Sequence, residues 1–113
     1  MTYYLISFPS AAMVLSEEEF EAAGRDSHAV IQEAKDAGVY VFGGGINEDV
    51  PPVRVYQDGA VTEDTYPQTK VLDGGFTVLN LSSREDALKW AEKIAVSCRC
   101  AQELREFMYD PQS

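Results

Sequence analysis

His28 is the only histidine in the chain. Histidine is the one side-chain type whose ordinary titration range spans neutral pH, so it is the first candidate for proton transfer. At about 3.6 residues per turn, it lies roughly 115° from the centre of the apolar stripe of its helix, beside Gly24 and Lys35. That boundary position has two readings. The imidazole either caps a polar gap, or it faces a ligand in space that Gly24 leaves open. Glu21 and Gln32 stand one or two turns away on the same flank. Asp36 is two turns away and rotated towards solvent, so no carboxylate is well placed to fix the imidazole's tautomer.

The other reactive residue types form no chemical set. Cys98 and Cys100 have one residue between them, too close for a useful structural disulfide. With a single histidine they fall short of a four-ligand metal site, and neither has a general base at a recognisable spacing. No metal or cofactor is expected. Glu17, Glu18 and Glu19 read as a solvated, dipole-favoured helix start. Gly43-Gly44-Gly45 is followed by no Gly-Lys-Ser/Thr and opens no helix, so it reads as a bend leaving a strand rather than a phosphate loop. Tyr3, Tyr4, Tyr40 and Phe42 come from strands expected to be neighbours. They suit core or dimer packing, or a pocket for a flat apolar or aromatic ligand, with Tyr4, Tyr40 and Phe42 as the candidate ligand contacts beside His28.

The elements that position these residues follow from periodicity and punctuation. Thr2–Phe8 is a strand rich in aromatic and β-branched residues. Ser16 with Glu19 forms a capping box that opens a helix over Glu17–Ala37, stopped by Gly38. Phe20, Ala23, Ser27, Val30, Ile31 and Ala34 fall on its buried stripe. Val39–Gly43 is the second strand. Val53–Tyr56 and Ala60–Glu63 flank an Asp-Gly hairpin turn, and Asp64–Asp73 reads as irregular. Phe76–Leu81 is a further strand. Ser82 with Glu85 repeats the capping box ahead of a second helix, whose stripe is Ala87, Ala91, Ile94, Ala95 and Cys98. A last strand runs from about Gln102 to Tyr109. The order β-α-β, hairpin, β-α-β is a ferredoxin-like βαββαβ layout in a single α+β domain over 1–113, with both helices on one face of an antiparallel sheet.

Both faces of these strands are apolar, and two helices cover only one. A large apolar face is unstable in water, so the other calls for a partner sheet, and a homodimer is the simplest answer. The formal net charge of −10 excludes the basic surface that nucleic acid requires, and it repels anionic lipid. The N-terminus reads as a strand rather than a signal peptide, and no apolar run approaches a membrane span. With two cysteines that form no framework, the expectation is a cytoplasmic protein without nucleic-acid or membrane partners.

Local patterns add a resemblance. His28 sits mid-helix, and that helix ends Asp36-Ala37-Gly38 before Val39-Tyr40-Val41. Val61-Thr62 precedes Thr69-Lys70, followed by Gly74-Gly75-Phe76 and Asp86-Ala87-Leu88-Lys89-Trp90-Ala91. In this order and spacing the chain resembles the YCII-related family, in particular its DGPF branch, from Thr2 to about Phe107. The resemblance implies a dimeric α/β barrel in which two sheets pack face to face. It also implies a small-molecule site with His28 as acid/base, or alternatively a non-catalytic interaction module linked to sigma-factor regulation. Two departures stand out. Glu63-Asp64-Thr65-Tyr66 replaces the Asp-Gly-Pro-Phe segment. The family's aspartate partner of the histidine aligns with Ile94, which carries no carboxylate.

Overall fold

A computed structural model describes residues 1–113. The chain runs β1 (Thr2–Phe8), α1 (Glu17–Asp36), β2 (Tyr40–Gly45), β3 (Arg54–Val55), β4 (Val61–Thr62), β5 (Gly75–Leu81), α2 (Arg84–Cys98) and β6 (Glu103–Glu106), with short 3₁₀ turns at Ser10–Ala12 and Pro67–Thr69. Four strands form one antiparallel sheet in the order β2-β5-β1-β6, and β3 pairs only with β4. The two helices pack on one face. This is a mixed α+β fold compatible with the ferredoxin-like layout, and the sheet of the single chain is open at both edges.

Local chemistry explains the helix limits. At the start of α1 the Ser16 hydroxyl accepts from the Glu19 amide at 3.3 Å, while the Glu19 carboxylate accepts from the Ser16 amide at 3.3 Å. Gly38 leaves the helix at φ 75°, a conformation that glycine adopts without strain. The cap of α2 falls one residue later than expected: Ser83 accepts from the Asp86 amide at 3.1 Å, and the Ser82 hydroxyl donates to the Asp86 carboxylate at 2.9 Å. Ser82-Ser83-Arg84-Glu85-Asp86 holds two overlapping frames of the same capping pattern; the second supplies the N-cap bond, but the reciprocal half of a capping box is not made, the Asp86 carboxylate going to Ser82 instead.

The core is narrow and built on small helix residues. Tyr4 and Ile6 of β1 and Leu79 and Leu81 of β5 are buried with Ala34 of α1 and Ala87, Ala91, Ile94 and Cys98 of α2. The alanines bring the helices close to the sheet and to each other. Lys93–Glu33 and Arg99–Asp26 ion pairs, both 2.9 Å, tie α2 to α1. Phe20, on the expected buried stripe, is half-exposed.

Register divides the sheet into two faces. Tyr4 pairs with Leu79 and Ile6 with Thr77, all towards the helices; Tyr3–Asn80, Leu5–Val78 and Ser7–Phe76 point away. A bulge lies between Tyr40 and Phe42. Tyr40 pairs with Leu79 and Phe42 with Val78, consecutive residues of β5, so Tyr40 faces the helices and Phe42 the opposite side. Simple alternation puts the two on one face; the extra residue, Val41, separates them. Gly43, Gly44 and Gly45 are not a bend but the second half of β2, paired with Thr77, Phe76 and Gly75. No helix is long and apolar enough to cross a membrane.

The β3–β4 hairpin turns through Gly59 at φ 89°. Arg54 clamps it: Nε donates to Asp64 Oδ1 at 3.0 Å and an Nη to Oδ2 at 2.7 Å, with the guanidinium 5.4 Å and 5.1 Å from the ring centres of Tyr56 and Tyr66. Hydrogen bonds from Arg54 and Thr62 hold the Asp64 carboxyl down at about 2. The turn after β4 is thus fastened by an ion pair, with Asp64 as its acid and Tyr66 stacked beside the guanidinium.

Candidate functional site

Glycines open a gap on the helix side of the sheet. Beyond Ile6 the helix-facing positions are Gly43 opposite Thr77, and Gly45 opposite Gly75, which itself pairs with Phe8. A β-carbon at Gly75 would collide with the Phe8 ring, 2.6 Å from its nearest atom, and one at Gly43 would lie 3.1 Å from the Tyr40 hydroxyl. The missing side chains seat these two rings along the floor. Above the floor α1 stands off, leaving an open cleft of about 810 Å³. Cavities that hold small molecules run to roughly 300–1,000 Å³.

One stripe of α1 forms a wall: His28, Ile31 and Lys35, at the i, i+3 and i+7 spacing that shares a face. Ile94, Ser97 and Cys98 of α2 line the cleft from the other side, and Phe8, Met13 and Phe20 make its far end apolar. Ser97 is buried, with its hydroxyl donating to the Ile94 carbonyl at 2.9 Å. The Cys98 thiol is buried as well, and burial raises its pKa, which disfavours the thiolate. The one cleft carboxylate, Glu48, accepts from the Ser10 hydroxyl at 3.0 Å at the Gly45–Gly75 end.

The expected site residues separate into three places. His28 and Tyr40 line the cleft together. Tyr4 does not: it is 3% exposed under both helices, because β1 is a central strand and its helix-facing side chains become core. Burial, followed by the neighbouring Glu106 carboxylate, raises its hydroxyl pKa. Phe42 is two-thirds exposed on the far face, turned there by the bulge. His28 is exposed at the cleft mouth, and the four ion pairs of the chain all lie elsewhere. Ile94 is buried on the opposite wall and brings no carboxylate to the histidine's cleft. No three His, Cys, Asp or Glu side chains converge as a metal site. Sequence reasoning missed Lys35, Ser97 and Glu48 as cleft residues; the i+7 relation of Lys35 to His28 was the available signal for the first.

Compared with known proteins, the chain matches no family model and no curated relative.

Proposed function

We propose that this chain is a YCII-related protein, a homodimer that binds a small apolar or aromatic molecule in the cleft between α1 and the glycine-lined end of its sheet. The observation that carries the reading is the cleft: apolar at Phe8, Met13, Phe20 and Ile31, with a few polar groups aimed into it, His28 among them. His28 is the candidate acid/base. The dimer is supported by the sheet face that carries no helix, where Tyr3 and Phe42 are exposed and Leu5, Phe76 and Val78 are half-buried, an apolar patch flanked by the Gln68–Asp73 segment and the C-terminal tail. Two such faces packed together make a dimeric α/β barrel.

The test is a titration of the ¹⁵N-labelled protein with indole and p-cresol, followed by amide shifts. The expected result is shifts at Gly43–Gly45, Gly75 and His28. No shifts, or shifts confined to the Tyr3–Phe42 face, overturn the cleft reading.

One observation favours a second reading, a non-catalytic interaction module of the kind linked to sigma-factor regulation: Ile94 supplies no acid to orient His28. That module needs no cleft ligand. A dimer whose cleft responds to no small molecule selects it.

A further inference from the structure

Resting on that cleft reading, we infer that its ligand carries an anionic group, a carboxylate or its equivalent, which Lys35 recognises at the Tyr40 end. Lys35 Nζ stands 5.2 Å from the centre of the Tyr40 ring, over the floor of the cleft. Like Arg25, Lys70, Arg84 and Lys89 it belongs to none of the chain's ion pairs, and of these five it alone lines the cleft. The Tyr40 ring runs along the floor and ends beside Gly43, where its hydroxyl makes no hydrogen bond within the chain. An ammonium, a phenol hydroxyl and, about two helical turns back, the His28 imidazole thus face one space.

Charge is graded along the cleft. Tyr40 and Gly45 stand at the two ends of β2, with the Tyr40 hydroxyl reaching along the floor as far as Gly43, so Lys35 lies towards one end of the cleft and Glu48 towards the other. The carboxylate of Glu48 therefore repels an anion from the far end and leaves the Lys35 end as the place for it. A ligand so held lays its acid against Lys35 and Tyr40 and its apolar body over Gly43 and Thr77, beneath Ile31 and His28. A highly acidic protein repels anions in general, which makes a cation left free at a cleft mouth the local exception that selects one.

Phenylacetate and its neutral isostere phenylacetamide, titrated by NMR into the wild-type protein, K35M and K35R, test this. Phenylacetate is expected to bind the wild type about tenfold more tightly than phenylacetamide, a typical gain for a charge-assisted contact. K35M is expected to abolish that preference while leaving phenylacetamide unchanged, and K35R to keep most of it. Equal binding of the two probes, or an equal loss of both in K35M, overturns the anion assignment and leaves the cleft standing. Failure of both probes to shift any cleft amide overturns the cleft reading and this inference with it. Lys35 is exposed, so the fold survives its replacement, and the thermal transition of each variant verifies this.

Discussion

Val78 sits at the centre of the sheet face that carries no helix, opposite Leu5 on one side and Phe42 on the other, and replacing it with aspartate should split the proposed dimer. The single chain exposes 8143 Å², whereas a folded monomer of 12.5 kDa is expected to expose only about 6,200 Å². The surplus is about 2,000 Å² per protomer. Part of that surplus belongs to the β3–β4 hairpin and the C-terminal tail, where Val53, Val55, Val61, Met108 and Tyr109 are exposed; a two-fold dimer that hid about half of it would bury about 2,000 Å² in total, the lower end of the obligate range of roughly 2,000–5,000 Å². Symmetry places two copies of residue 78 in that interface, and an uncompensated buried carboxylate costs several kcal/mol. Taking about 4 kcal/mol as the floor, Val78→Asp should raise the dissociation constant at least about 10³-fold. Sedimentation equilibrium measures it. Leu88→Asp, on the exposed side of α2, is the control and should leave the dimer intact. A wild-type protein that sediments as a monomer at micromolar concentration refutes the reasoning. So does a Val78→Asp variant that remains dimeric.

Two further outcomes follow from single sites. Gly74 has φ 81°, and a β-carbon there would run into the Phe8 carbonyl and the backbone around Pro9. Gly74→Ala should therefore destabilise the chain by more than about 2 kcal/mol, read from urea denaturation, whereas Gly44→Ala, with open space around it, should cost about 1 kcal/mol or less. The Asp64–Arg54 clamp should be acid-sensitive in a defined window. Its carboxyl titrates at about 2, below the unfolded value near ~3.9, so its contribution is complete above about pH 4 and is lost as pH falls towards 2. Amide exchange in Arg54–Thr62 should accelerate over that window, and Asp64→Asn should show the faster exchange already at neutral pH.

What the sequence made legible, it made legible through local chemistry. The Ser16–Glu19 box, the Gly38 stop and the Asp58-Gly59 turn each depend on residues within a few positions, and each sits where it was expected. The Ser82/Ser83 cap slipped because two frames of one pattern overlap, and only packing chooses between them. The bulge in β2 was invisible for a different reason. Tyr40, Val41 and Phe42 are all apolar, so the run carries no phase, and one extra residue reverses the face of everything after it without changing the pattern. Tyr4, Tyr40 and Phe42 consequently looked like one aromatic cluster, although they occupy the core, the cleft floor and the open face.

The glycines show how a site can depend on what is missing. Gly43, Gly45 and Gly75 read in sequence as punctuation, yet in the sheet they are consecutive helix-facing positions from which the side chains have been removed. Their absence gives the Tyr40 and Phe8 rings a floor to lie on and leaves α1 with nothing beneath part of its length. His28 and Lys35 occupy that unsupported stretch, and this is why a boundary histidine lies at a cleft rather than in a core. Ile94 completes the contrast: it fills the opposite wall with hydrocarbon and offers the imidazole no partner. On the proposed reading, such a cleft would hold an apolar body by its walls and a charged end by Lys35, and would leave His28 to act through hydrogen bonding to the ligand, without a protein acid behind it.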